Sequence, residues 1–273
     1  MPNNFIKGII GDGFLTEVIL TAFMRRLNIS PEDTYVLAKT SGRCQELLEQ
    51  YNVHAVQNSM VFVPPAKLII LAVELEDAPR IMKQISDKVS EEAVIISVVQ
   101  GLKLGQIEGF FPDHVVIRMI MNPWIVNGYG VSTYVVGSFA SEEASNIARA
   151  ILTSLGDTIE VESEEELEIV GELILSETLF SYITVKALIN NNEAAGLSPD
   201  KSKEIVRKIL TSSSRAISDT DAVTDSVLER SYNKGTFLER SRQLLDKYAI
   251  METFQKSFEE ALAEKNIFKF HYR

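Results

Sequence analysis

The chain has 273 residues, 45% of them hydrophobic and 24% charged, and a formal net charge of −11. That composition is globular, with apolar material for one large domain or two smaller ones. So acidic a surface repels nucleic acid and anionic membrane, which excludes both as favoured partners. Cys44 is the only cysteine, so an intrachain disulfide is excluded; set among helix-forming residues, it reads as an inert thiol. No signal-peptide pattern opens the chain and no apolar run of about 18 residues occurs, so the expected location is cytoplasmic. His54, His114 and His271 are far apart, and no His, Cys and carboxylate set has metal-ligand spacing.

The first predicted strand is Ile6–Ile10, and it runs into Gly11-Asp12-Gly13-Phe14-Leu15-Thr16. A glycine-rich turn between a strand and a helix is the setting of a dinucleotide-binding fingerprint. There Gly11 permits the tight turn, and Gly13 lets backbone amides approach a pyrophosphate at the helix N-terminus. Thr16 stands where a third Gly or Ala is usual. Asp12 is the awkward neighbour: a carboxylate about 5 Å from a phosphate repels it by roughly 3 kcal/mol at an effective dielectric of about 20. The expectation is that Asp12 turns away to solvent. The following helix carries Leu15, Val18, Ile19, Ala22 and Phe23 at helical spacing.

A second strand, Thr34–Ala38, ends in Lys39-Thr40-Ser41. An NAD-selective site places Asp or Glu here for the ribose hydroxyls, whereas a cation beside hydroxyls suits a 2′-phosphate, so NADP is expected over NAD. Further strands are predicted at Leu68–Val73, Ala93–Val98, Val115–Ile120 and Val131–Val136, with Ile81, Ile85 and Val89 marking an intervening helix. These runs are apolar throughout, as in strands covered on both faces by helices, which means a mainly parallel sheet. After Ser163 the pattern becomes helical. One helix is predicted from Glu164 to Ala195 with Gly196 as its C-cap, another opens at Ser198-Pro199, and a last one runs from Phe237 to Glu264. The fold class is therefore α/β: a Rossmann-type domain over residues 1–162, followed by an all-helical domain over 163–273. A domain of long helices with wide apolar arcs points to pairing with a second copy, as a homodimer or higher homo-oligomer.

In this order and spacing the chain resembles the pyrroline-5-carboxylate reductase family, which reduces a cyclic imine to proline with NAD(P)H. Gly11–Thr16 stands at its G-x-G-x-x-A, Lys39-Thr40 at its basic-hydroxyl pair, and Asn58 at an Asn near the cofactor ribose. Leu71-Ala72-Val73-Glu74-Leu75 resembles its L-A-V-K-P, and Ile96-Ser97-Val98-Val99-Gln100-Gly101 its I-S-x-A-A-G. Arg118–Asn122 resembles R-x-M-P-N, and Gly128–Thr133 its G-x-G-x-T. The resemblance implies that Gly11, Gly13, Phe14, Leu15, Lys39, Thr40, Asn58, Ala72, Val73, Ser97 and Gly101 hold the cofactor. It places Asn122 and Thr236 at the chemistry, Thr236 in the remnant of an S-P-G-G-T-T loop at Ser231–Phe237. The substrate half departs from the family: Glu74 and Leu75 replace Lys and Pro, and only a serine of S-G-S-G-P-A-Y survives in Ile174–Phe180.

Three functions stay open on these residues. The first is an NADP-dependent reductase acting on a small imine or amino-acid-like substrate. The second is a β-hydroxyacid dehydrogenase-like enzyme, since Lys186 and Asn190 share a helix face. The third is a reductase-like protein that has lost catalysis and binds nucleotide or a partner.

Overall fold

The computed structural model describes residues 5–26, 30–122, 124–125, 130–139, 149, 152–153, 156–219 and 235–263. By internal contacts the chain divides into two units, Met1–Leu175 and Ser176–Arg273. The first contains an eight-stranded sheet: β1 (Lys7–Ile10), β2 (Thr34–Leu37), β3 (His54–Val56), β4 (Leu68–Leu71), β5 (Val94–Ser97), β6 (Val115–Met121), β7 (Val131–Val136) and β8 (Asp157–Glu160). Their order is β3-β2-β1-β4-β5-β6-β7-β8. All neighbours pair parallel except β6 and β7, which are antiparallel.

The central strands β1, β4 and β5 are buried at every position, as their unbroken apolar runs require. Helices α1 (Phe14–Arg26), α2 (Ser41–Tyr51), α3 (Ala78–Ile85) and α4 (Leu104–Glu108) connect the parallel strands. One core layer gathers Val18, Ile19, Phe23, Val36 and Ile96; the other holds Phe62, Ile81, Ile85, Ile95 and Phe111. The six predicted strands are all present. Two more, β3 and β8, gave no signal: β3 has three residues, and β8 is largely exposed, so neither shows an apolar run.

Helix α5 (Glu164–Ala194) begins in the sheet unit, where Leu167 and Gly171 are buried. A Cβ on Gly171 would come within 2.5 Å of Ile120 on β6, so glycine lets the helix lie close against the sheet. Arg118 of β6, 1% exposed, pairs there with Glu164 at 2.8 Å and Glu168 at 2.7 Å. The contact division thus falls inside α5, whereas the strand pattern ends at Ser163.

The second unit holds the rest of α5 with α6 (Pro199–Asp219), α7 (Phe237–Lys247) and α8 (Ile250–Ala263). Gly196 follows α5 at φ 93°, the left-handed C-cap expected of it. The single last helix expected over Phe237–Glu264 is instead broken. Ala249 adopts φ 47°, its amide donates to the Asp246 carbonyl, and its own carbonyl opens α8 by accepting from Thr253. Alanine carries no turn signature, so nothing in the residue types announced this break. Phe180 of α5 packs against Phe254 and Phe258 of α8, with ring centroids 5.3 and 6.4 Å apart.

Candidate active site

In an open α/β sheet, ligands bind outside the carboxyl ends of the strands where the strand order reverses. Here that point lies between β1 and β4. Gly11 leaves β1 at φ 129°, and a Cβ built on it would lie 2.0 Å from the Ala72 carbonyl oxygen. Only glycine fits between the two strand ends. Gly13, by contrast, is exposed, and a Cβ there would meet nothing within 4 Å. The turn therefore leaves open space against its backbone, at the start of α1, where the first-turn amides have no intrahelical acceptor. Thr16 is fully buried, and its hydroxyl donates to the Gly11 carbonyl at 2.9 Å. The departure from a small third residue is thus accommodated: the hydroxyl pins the turn instead of crowding it.

Strand register gathers the other expected cofactor residues along the same rim. Ile10 pairs with Leu37 and Leu71, and Leu71 with Ser97, so Lys39, Ala72, Val73 and Ser97 all stand at neighbouring strand ends. Thr40 caps α2, its hydroxyl oxygen accepting from the Arg43 amide at 3.2 Å. Asn58 follows β3 and accepts from the Met60 amide at 3.0 Å. Ser97 is buried, its hydroxyl oxygen accepting from the Val99 amide, and Gly101 turns at φ 80°. Phe14 is 66% exposed at the mouth of the turn.

Asp12 was expected in solvent. It is instead half-buried and engaged: its carboxylate accepts from the Lys39 amide at 2.7 Å, across the end of β2. Arg43 donates through Nε to the Asp12 carbonyl at 3.1 Å, and its guanidinium also pairs with Glu17 and with Glu46. Those two carboxylates push the Arg43 guanidinium above its ordinary range. The Lys39 ammonium lies 3.2 Å from Asp77, whose other oxygen takes Arg80 at 3.1 Å. Arg80 first, then Lys39, hold Asp77 below the usual carboxylate range.

Beyond the glycine turn, a cleft of about 180 Å³ lies against the ends of β5 and β6. Leu15, Val98, Met119 and Met121 supply apolar wall, and Gln100, Asn122, Glu168 and Glu172 the polar groups. Asn122 is 4% exposed and its side-chain oxygen accepts from the Val131 amide at 3.2 Å, which fixes it on the rim. Burial pushes Glu168 up, but hydrogen bonds from Arg118 and Lys103 outweigh it and hold the carboxyl below its usual range. The Arg118–Glu168 pair and the Asp12–Lys39 contact were not foreseen as features of the site. Each joins residues that are distant in sequence: Asp12, Lys39 and the Arg118 block each carried a signal, but Glu168 carried none and neither pairing did.

In the helical unit, Thr236 is the N-cap of α7, with its hydroxyl oxygen accepting from the Glu239 amide at 3.2 Å. Glu239 reaches back to the Gly235 amide at 2.6 Å. The capping role makes a separate prediction: Thr236→Ala lowers stability by about 1 kcal/mol, while Thr236→Ser stays within a few tenths. Thermal melts of the two variants check it, and equal melting temperatures would refute the cap. Ser231–Lys234 and Gly128-Tyr129 lie outside the described residues. Lys186 and Asn190 are exposed on α5, and the Lys186 ammonium sits 5.9 Å over the Tyr182 ring. Among the described residues no cluster of three metal-ligating side chains occurs, and no helix is long and apolar enough to cross a membrane.

A mostly parallel sheet with a glycine turn at its switch point and a cleft beside it defines the class: a Rossmann-type fold. Residues 7–101 match the family described as NADP oxidoreductase, coenzyme F420-dependent. The pyrroline-5-carboxylate reductase of Synechocystis sp. is 23% identical over 214 residues, 78% of this chain and 79% of that protein. Pyrroline-5-carboxylate reductase 2 of Bacillus subtilis is 25% identical over 201 residues, covering 73% and 72%. Among solved structures, the reductase of Coxiella burnetii superposes with a TM-score of 0.76 at 19% identity, over 96% of this chain and 98% of that one. The Plasmodium falciparum enzyme, solved with NADP bound, gives 0.79 at 17% identity over 96% and 97%. Over most of its length the chain is thus similar to pyrroline-5-carboxylate reductases at 20–25% identity, and it shares their fold.

Proposed function

We propose that this protein is a pyridine-nucleotide-dependent reductase that converts the C=N bond of a small imine to an amine, with NADP(H) as its cofactor. The observation that carries the reading is the convergence, on one rim, of the Gly11–Leu15 turn, the Lys39-Thr40 strand end and the cleft bounded by Val98 and Asn122. The residues present fit the cofactor: space over Gly13 for the pyrophosphate, and a small-residue strand end at Ala72. The bound nucleotide would supply a hydride to the imine carbon. The chain's own part is to hold the ring against the apolar wall of Leu15 and Val98, keep Asn122 fixed at the rim, and exclude bulk water. Thr236 is assigned, on the family resemblance, as the group that hydrogen-bonds the substrate nitrogen as it takes up a proton.

The helical unit supports self-association. Phe237 is 88% exposed, Met251 70%, and Leu179, Ile183 and Leu245 more than half, a density of apolar surface that monomers seldom leave in water. A second copy is the covering surface proposed, in a cytoplasmic homo-oligomer; light scattering should give at least twice the 30.5 kDa chain mass.

The test of function is the loss of NADPH absorbance with pyrroline-5-carboxylate and with carboxylate-free cyclic imines, beside calorimetric binding of NADPH. Turnover on either imine class supports the reading. NADPH binding with no turnover on any imine would replace it by a non-catalytic nucleotide-binding protein. Absence of binding of both NADPH and NADH would remove the oxidoreductase reading altogether.

A further inference from the structure

We infer that Asp12 sets the choice between phosphorylated and unphosphorylated ribose at this site, its carboxylate standing at the end of β2 as a standing opponent of a 2′-phosphate. This rests on the dinucleotide reading above and adds a residue to it.

The end of the second strand is where a Rossmann site meets the adenosine ribose, through an acid for free hydroxyls or a cation for a 2′-phosphate. The local residues, Lys39-Thr40, look like the cationic kind. The structure places an acid there all the same, delivered from the glycine turn: the Asp12 carboxylate holds the Lys39 amide at 2.7 Å. A 2′-phosphate at this strand end would compete for that amide and face a full negative charge. The nearby cations are already engaged. The Lys39 ammonium is paired with Asp77, Arg80 with the same carboxylate, and Arg43 with Glu17 and Glu46. Three cations thus meet four carboxylates around this strand end, so a 2′-phosphate is held here without a positive surplus, and Asp12 limits how tightly NADP(H) binds relative to NAD(H). Ribose hydroxyls, which donate to a carboxylate, meet no such opposition.

The experiment titrates wild type, Asp12→Asn and Asp12→Ala with NADPH, NADH, adenosine 2′,5′-bisphosphate and adenosine 5′-monophosphate at constant ionic strength. Asparagine keeps an oxygen for the Lys39 amide and removes only the charge. The expected result is a fall of about tenfold in Kd for NADPH in Asp12→Asn, with NADH changing by less than threefold, and the bisphosphate following NADPH. Asp12→Ala should move in the same direction; if its melting temperature drops, Asp12→Asn decides alone. Equal changes for phosphorylated and unphosphorylated ligands, or no change, would overturn the role assigned to Asp12 while leaving the cofactor reading intact. Failure of wild type and both variants to bind any dinucleotide would overturn both.

Discussion

Gly11→Ala is expected to abolish measurable dinucleotide binding and to lower stability by about 3 kcal/mol or more. Two costs coincide at this residue. Its φ of 129° is a conformation that side chains rarely adopt, and a Cβ would stand 2.0 Å from the Ala72 carbonyl, a backbone atom that cannot rotate aside. Either the turn opens or β1 and β4 part, and both displace the amides that begin α1. Gly13→Ala is the informative control. Nothing lies within 4 Å of its Cβ, so the fold should be undisturbed, with a melting temperature within about 2 °C of wild type. Its NADPH affinity should nevertheless fall at least tenfold, because the methyl group enters the space proposed for the pyrophosphate. Thermal melts and calorimetry on the pair separate fold from ligand. A Gly13→Ala variant that binds NADPH like wild type would show that the pyrophosphate does not lie on this turn.

Arg118→Met should be the most damaging substitution of a charged residue in the sheet unit, at roughly 3 kcal/mol, or a fall of about 6–12 °C in melting temperature. The guanidinium is buried and bridges Glu164 and Glu168, whose side chains are 28% and 22% exposed. Removing it leaves two carboxylates facing each other with limited access to water, which places the cost at the lower end of that for a fully buried pair. Adding Glu168→Gln to Arg118→Met should recover part of the loss, as a coupled pair does. The pH dependence follows from the sign of the Glu168 shift. A carboxyl held below its unfolded value, about 4.3, stabilises the fold above that pH and loses the contribution as pH falls through the lower folded value. The gap between wild type and Arg118→Met should therefore be widest near neutrality and narrow below about pH 4. Urea denaturation across that range measures it; a gap independent of pH would rule out the ion cluster as the source.

Apolar runs made most of the sheet legible before any coordinates. β7 is found at the predicted residues, and β1, β4 and β5 within a residue or two, because a strand covered on both faces must be apolar at every position. The same logic explains the misses. His54–Val56 is too short to show a period, and Asp157–Glu160 lies at the sheet edge, where burial does not constrain it. The break at Ala249 was invisible because no glycine or proline marks it. At the candidate site, residue types revealed the glycine turn and the strand ends but not the pairings. The sequence of Asp12 predicts repulsion of a phosphate; it does not tell that the carboxylate crosses to the Lys39 amide, since that contact exists only once β1 and β2 are side by side. Likewise Arg118 reads as a cation inside an apolar strand, and its partners become apparent only when α5 is laid on β6.

The reversed direction of β7 and β8 decides which way the chain travels next. Had they continued the parallel run, the helix after β8 would depart from the strands' carboxyl ends and descend. Because they run the other way, α5 sets out beside Arg118, midway along β6, and climbs past Ile120 toward the strands' carboxyl ends. Its third turn delivers Glu172 and Leu175 to the cleft that Leu15 and Asn122 line. Two strands turned upside down thus convert an open crevice into a cleft with a second wall, and an acid is mounted on it.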